Sequence, residues 1–174
     1  IKFTATNEDV DLKQVALQLV GAASNTPVDL VGRKVTLWDG ATQISEAVFP
    51  TSDWATSSAI TSFRVPRDGS KVLVVKGDIA AITNSGPLTA SGDLLRVDYD
   101  GDNEGLNGSY GTGVSSGSTI TPSADDTASN GVRVFKSYPT FEKVNVSSAL
   151  VNGEQSVLRW KVTANSAGDV GIAK

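Results

Sequence analysis

Apolar residues along this chain fall mostly at every second position, and few recur at the three- and four-residue spacing of a helix. That rhythm predicts strands. KVTLWD at 34–39, QISEAVF at 43–49, ITSFRV at 60–65, KVLVVKGDI at 71–79, LLRVDY at 94–99, VRVFKS at 132–137, FEKVNV at 141–146 and SVLRWKVTA at 156–164 alternate or are rich in β-branched residues. Turn-forming clusters, DGAT, PRDGS, NSGP, SGD and NGE, stand between them. In VALQLV, Val15, Leu17 and Leu19 share one face, whereas the preceding Val10 and Leu12 have the opposite parity. A bulge near Lys13 and Gln14 reconciles the two halves. The expected fold is all-β, an immunoglobulin-like or jelly-roll-like two-sheet β-sandwich, with Trp38 and Trp160 as its large core anchors.

One stretch breaks the rhythm. Residues 101–131 are dominated by Gly, Ser, Thr, Asn and Asp, which supply little core and carry a large ordering entropy. They are expected to form a long polar surface insert, with a short strand around STITP. The sandwich domain is drawn over residues 1–160 and a terminal strand over 161–174.

The two ends match. KFTATNEDVDLK at 2–13 aligns with KVTANSAGDVGIAK at 161–174, pairing Lys2 with Lys161, Phe3 with Val162, Thr4 with Thr163 and Ala5 with Ala164. After a short insertion Asp9 and Val10 meet Asp169 and Val170, and Leu12 meets Ile172. A repeat whose period is nearly the chain length reads in two ways. Either the last residues open a further copy of the same module, or two similar terminal strands compete for one slot, so that a neighbour's strand completes the sheet. Both readings place assembly on Ile1, Phe3, Val10, Leu12, Leu158, Trp160, Val162, Val170 and Ile172, with copies of the chain or adjacent repeats as partners.

Composition narrows the chemistry. The 174 residues contain no Cys, His or Met. Their absence excludes disulfides, thiolate and imidazole chemistry, and zinc, copper or haem sites built on those ligands. With no methionine, a processed chain or an excised piece is expected. A net charge of −4 with scattered basic residues argues against nucleic acid. No run approaches the length of a membrane span, so no membrane insertion is expected. An acidic chain that avoids easily oxidised side chains is expected outside the cell or on its surface.

The segments FTATNEDVDLKQVALQL, VTLWDG, FRVPRDGSKVLVVKGDI, VFKSYPTF and LRWKVTANSAGDV resemble the repeat domains of large secreted bacterial surface proteins of the S-layer-like or adhesin-like kind. The resemblance implies an immunoglobulin-like sandwich in which a V-K-x-D-I type segment and a K-S-x-P-T segment recur. It covers most of the chain outside 101–131. It implies a structural role and carries no catalytic residue with it.

Candidate chemistry is sparse. Asp98, Asp100, Asp102 and Glu104 alternate around Gly101 and Gly105, which suits a calcium ion taking oxygens around a bend, although neither the glycine nor the glutamate of an EF-hand loop is in place. The competing reading is a water-facing acidic turn. Calcium is the sole cofactor candidate. Trp54, in the polar stretch TSDWATSS, is a candidate contact for a surface glycan. No spacing of acids selects a glycosidase pair, and no SxxK motif is present, so no enzyme is expected. The expected function is a non-catalytic module of an extracellular filament, S-layer or adhesin that assembles head-to-tail. The alternative is a calcium-dependent binding module for carbohydrate or another surface ligand.

Overall fold

A computed structural model describes residues 1–19, 26–82, 92–101, 108–122, 125–146 and 152–172. The chain divides into two compact units, Ile1–Val134 and Phe135–Lys174. Pro139–Val144 pairs with Arg159–Ala164, which places both strands in the second unit.

The fold is all-β and sandwich-like, and among the described residues no sheet closes into a barrel. In the first unit the strands are β1 (Lys2–Thr4), β2 (Val10–Gln14), β3 (Ala16–Gln18), β4 (Lys34–Asp39), β5 (Thr42–Val48), β6 (Trp54–Thr56), β7 (Phe63–Val65), β8 (Ser70–Val72), β9 (Val74–Lys76), β10 (Asp93–Leu95), β11 (Asp98–Tyr99), β12 (Tyr110–Gly113), β13 (Thr119–Ile120) and β14 (Val132–Val134). They form antiparallel sheets ordered β13-β12-β2-β7, β11-β3-β6 and β5-β4-β9, and the pairs β1-β8 and β10-β14. Single 3-10 turns at Pro27–Asp29 and Val31–Arg33 lead into β4.

Alternation explains which side chains go inside. In β4, Val35 and Leu37 are buried while Thr36 and Trp38 lie on the other face, and β7 buries Phe63 and Val65 around an exposed Arg64. Phe49, Phe63, Leu17, Leu37, Ile60 and Leu73 make the centre of one continuous core. Trp38 is thus not a core anchor. Its ring is half-buried beneath Lys76, whose Nζ lies 3.8 Å from the ring centroid. Parity decided this, since Val35 and Leu37 already claim the inner face and the β4-β5 register shifts just before Trp38. Trp160 also fails as an anchor, being half-exposed in the second unit.

The parity conflict at the start of the chain is resolved by a bulge and a change of sheet. Tyr110 opposes Gln14 and Gly111 opposes Leu12, which leaves Lys13 as the extra residue of β2. Two residues later the chain leaves that sheet at Val15, which is fully buried, and enters the next as β3. The backbone groups at the corner stay satisfied: Val15 N donates to Ser57 Oγ (3.0 Å), Ser57 N to Val15 O (2.9 Å) and Ile60 N to Lys13 O (2.9 Å).

The polar stretch is only partly a surface excursion. Strand β12 lies between β2 and β13, and β13 is the short strand expected in STITP. Ser109, Gly111 and Gly113 are buried. A Cβ on Gly111 would come within 2.7 Å of Val10 Cγ1 and 3.0 Å of the Asp11 carbonyl oxygen, so the close approach of β12 to β2 requires glycine there. Ser109 Oγ accepts the Ala16 amide at 2.9 Å. These residues hold the sheet through hydrogen bonds and small size. A hydrophobic pattern could not reveal them.

Gly111→Ala should therefore destabilise the first unit by about 1–3 kcal/mol, the usual cost of overpacking, and Phe49→Ala by about 3–5 kcal/mol, the usual cost of deleting a buried aromatic ring. Denaturant unfolding followed by circular dichroism measures both. A Gly111→Ala variant as stable as the parent would show that β12 can move away from β2 at no cost.

Candidate assembly surface

The second unit is built on one pair of strands, β15 (Pro139–Val144) and β16 (Arg159–Ala164). They run antiparallel with Phe141 opposite Val162, Glu142 opposite Lys161 and Lys143 opposite Trp160. Because side chains alternate, Pro139, Phe141 and Lys143 share a face with Ala164, Val162 and Trp160. On that face the Phe141 and Trp160 rings lie 5.8 Å apart, centroid to centroid. The other face is polar: Lys161 Nζ is 3.8 Å from Glu142 Oε2, and Thr140 stands opposite Thr163. Ser137 Oγ donates to the Gly168 carbonyl at 2.8 Å and ties the segment before β15 to the turn after β16.

This two-stranded sheet is amphipathic, yet its apolar side chains face solvent. Phe141 is 66% exposed, Leu158 67% and Trp160 50%, and Phe135, Tyr138, Val157 and Ile172 are also exposed. Covering Phe141 and Trp160 alone would contribute about 2–4 kcal/mol, given that half or more of each is still in water. A lone two-stranded sheet is marginal in water.

The N-terminal members of the terminal match have a different setting. Leu12 is buried, and Phe3 and Val10 pack against the core. Phe3 makes edge-to-face contacts with Phe63 (6.3 Å) and Tyr99 (6.1 Å). Ile1 N donates to the Leu73 carbonyl at 2.8 Å. Among the C-terminal members, Leu158, Trp160 and Ile172 are exposed and Val162 and Val170 half-buried. Each copy begins with a strand followed by a reversal of the chain, although Asn7 takes a left-handed φ of 72° in the first and neither Ser166 nor Ala167 has a positive φ in the second. Strand β1 is followed by a bend at Asn7 and Glu8, and β16 by a turn at Ser166 and Ala167, the positions that the alignment equates. Past the turn the copies differ: Val10 and Leu12 are in β2, whereas Val170 and Ile172 belong to no strand.

The bend after β1 is held from the polar stretch. Glu8 accepts the amides of Ser115 (2.8 Å) and Ser116 (3.0 Å) and the Ser116 hydroxyl (2.7 Å). The Ser116 hydroxyl, then the two amides, hold the Glu8 carboxyl below its ordinary value. None of this was visible in the sequence, because the partners are about a hundred residues apart.

The described half of the acidic run does not face water. Asp98 and Asp100 are buried, at 3% and 1% exposure. Asp98 accepts the Ser129 amide (2.7 Å) and pairs with Arg96 (2.8 Å). Asp126 accepts Gln18 Nε2 (2.5 Å) and the Gly101 amide (2.8 Å). These carboxylates anchor the chain around residues 98–101 and 126–129 to β3. Among the described residues no three acidic side chains converge to hold a metal ion, and Asp102 and Glu104 lie outside the described residues. Trp54 is not in an open loop: it begins β6, opposite Gln18, half-buried. Its indole Nε1 is buried and meets no hydrogen-bond acceptor among the described residues.

Among the described residues no helix is long and apolar enough to cross a membrane. Comparison with protein-family models, with curated proteins and with solved structures returns no match to this chain.

Since the carboxyl of Glu8 titrates below its ordinary range, its contribution to stability is present above that range and lost as pH falls through the lowered value. Glu8→Gln removes the ionised acceptor at every pH. The gap in melting temperature between parent and variant should therefore be largest near neutral pH and close as the pH falls through the ordinary glutamate range to the lowered value beneath it. A gap independent of pH would mean that the carboxylate charge contributes nothing.

Proposed function

We propose that this chain is a non-catalytic structural module of an extracellular assembly, a filament, surface layer or adhesin, whose copies are joined by β-strand contacts at their ends. The observation that carries the reading is the β15-β16 sheet, which keeps Phe141 and Trp160 in water although its strands have the alternation of a core-facing sheet. An exposed apolar face of this kind marks an interaction surface or an aggregation site. The matched ends add a reason to expect self-recognition: the strand that leaves its apolar face uncovered carries the same Lys-x-Thr-Ala sequence as β1. Chemistry supports the same direction, since a chain without Cys, His or Met lacks the commonest nucleophile, proton-shuttle and transition-metal side chains. An apolar groove of about 430 Å³ in the first unit, lined by Leu17, Leu30, Val35, Leu73, Val75 and Leu95 among others, offers shape and hydrophobicity with no convergent reactive group.

Sedimentation velocity across a hundredfold concentration range tests the reading, with negative-stain microscopy of the concentrated sample. The expected outcome is reversible growth of larger species with concentration. The double variant Phe141→Ser, Trp160→Ser should shift that growth to at least tenfold higher concentration while leaving the unfolding of the first unit unchanged. A parent chain that stays monomeric throughout overturns the proposal.

A further inference from the structure

Strands β1 and β16 contain the matching segments Lys2-Phe3-Thr4 and Lys161-Val162-Thr163, and each is seen with a different neighbour. Copy β1 pairs with β8, with Lys2 opposite Val72, Phe3 opposite Lys71 and Thr4 opposite Ser70. The flanking bonds, Leu73 N to the Ile1 carbonyl (2.8 Å) and Ala5 N to the Gly69 carbonyl (3.1 Å), show that the odd-numbered residues direct their backbone groups at β8. In an antiparallel ladder these groups alternate between the two edges, so those of Lys2 and Thr4 point away from β8. Among the described residues no strand pairs with that second edge. Copy β16 pairs with β15, and Thr140 Oγ1 lies 3.4 Å from the carbonyl oxygen of Thr163, the equivalent of Thr4. One copy therefore displays the partner of one edge, and the other copy displays the partner of the other.

We infer that the free edge of β1 accepts a strand of the sequence Pro139–Val144 from a second copy of this module. It runs antiparallel, with Phe141 opposite Phe3, Glu142 opposite Lys2, Thr140 opposite Thr4 and Pro139 opposite Ala5. The register is that of β15 on β16, carried across by the equivalence of Lys161 with Lys2. This inference rests on the assembly reading above and names its partner and its contact.

Three further observations fit the register. First, the faces agree. Phe3 looks toward Phe63 and Tyr99 while Lys2 and Thr4 are exposed, so the donor strand would turn Phe141 toward the core and Glu142 toward water. Second, room exists for the incoming ring. A cavity of about 210 Å³ lies against β1, lined by Phe3, Ala5, Val10, Leu12, Ile120 and Pro122 among others, and no residue of β8 contributes to it. Third, the charges agree, because Lys2 offers Glu142 the same cation that Lys161 offers it in the hairpin. A separate molecule donates the strand by releasing it from its own β16, an exchange that an isolated two-stranded sheet opposes only weakly.

The chain has no native cysteine, so introduced thiols report contacts without background. Residues directly opposite in an antiparallel pair have Cβ atoms about 4.5–5.5 Å apart, close enough for a disulfide after slight adjustment. Mixing Thr4→Cys chains with Thr140→Cys chains under mild oxidation should give a covalent heterodimer in at least tenfold higher yield than mixing Thr4→Cys with Lys143→Cys. A fluorescent peptide of residues 136–146 should bind the full chain saturably. Phe141→Ser in the peptide should weaken binding at least about tenfold, and Lys2→Glu in the chain about 2- to 5-fold, with recovery when the peptide carries Glu142→Lys. Failure of the peptide to bind, or equal cross-linking in and out of register, overturns this inference, and self-association in sedimentation would still uphold the assembly reading. A chain that neither cross-links nor self-associates overturns both. A Thr4→Cys, Thr140→Cys double variant that closes within single monomers in dilute solution assigns the slot to the chain's own β15 and overturns the second copy.

Discussion

A β-strand has two faces and two edges, and burial of its apolar face is the constraint on which the rest of this molecule depends. In the first unit the constraint is met. Val35 and Leu37 from one sheet, Leu12, Phe63 and Val65 from another and Leu17 and Ala55 from a third turn inward to one core. The strands are mostly three residues long, too short to be held by their ladders alone, so the shared core keeps them in register. In the second unit the same alternation gathers Phe141 and Trp160 on one face, where both stay half or more exposed.

Polar residues complete what the core begins. Glu8 holds the turn at Ser115 and Ser116, Asp98 holds Ser129, and Asp126 holds Gly101 and Gln18. Each is a single carboxylate bridging segments distant in sequence, and each takes over backbone donors that no strand satisfies. Of the acidic residues whose alternation suggests calcium, Asp98 is used here as an internal brace. Its two oxygens meet Arg96 and the Ser129 amide.

The two ends share the sequence Lys-x-Thr-Ala, at Lys2–Ala5 and at Lys161–Ala164, and the proposed assembly rests on that match. The segment pairs with β8 as β1 and with β15 as β16, and the proposed contact combines the two pairings in one three-stranded sheet. Specificity in such a sheet comes from the alternation of Phe141 and Glu142 against Phe3 and Lys2, since a one-residue slip would turn the aromatic ring to water and the carboxylate to the core.

Much of this was determined by the sequence alone. The all-β class, most strand positions, the bulge at Lys13 and the repeat of Lys2–Ala5 in Lys161–Ala164 follow from period-two patterning and local identity, which depend only on neighbours along the chain. Tertiary structure decided the rest. Trp38 and Trp160 look like anchors from composition, but the face each takes depends on which strand residues reach the core first and on whether a second layer exists to cover them. The Gly- and Ser-rich strand β12 and the burial of Asp98 and Asp100 were hidden because they depend on hydrogen bonds and close approaches between residues far apart in sequence. Periodicity records which side chains can be buried, whereas only packing in space determines which of them are and what stands opposite.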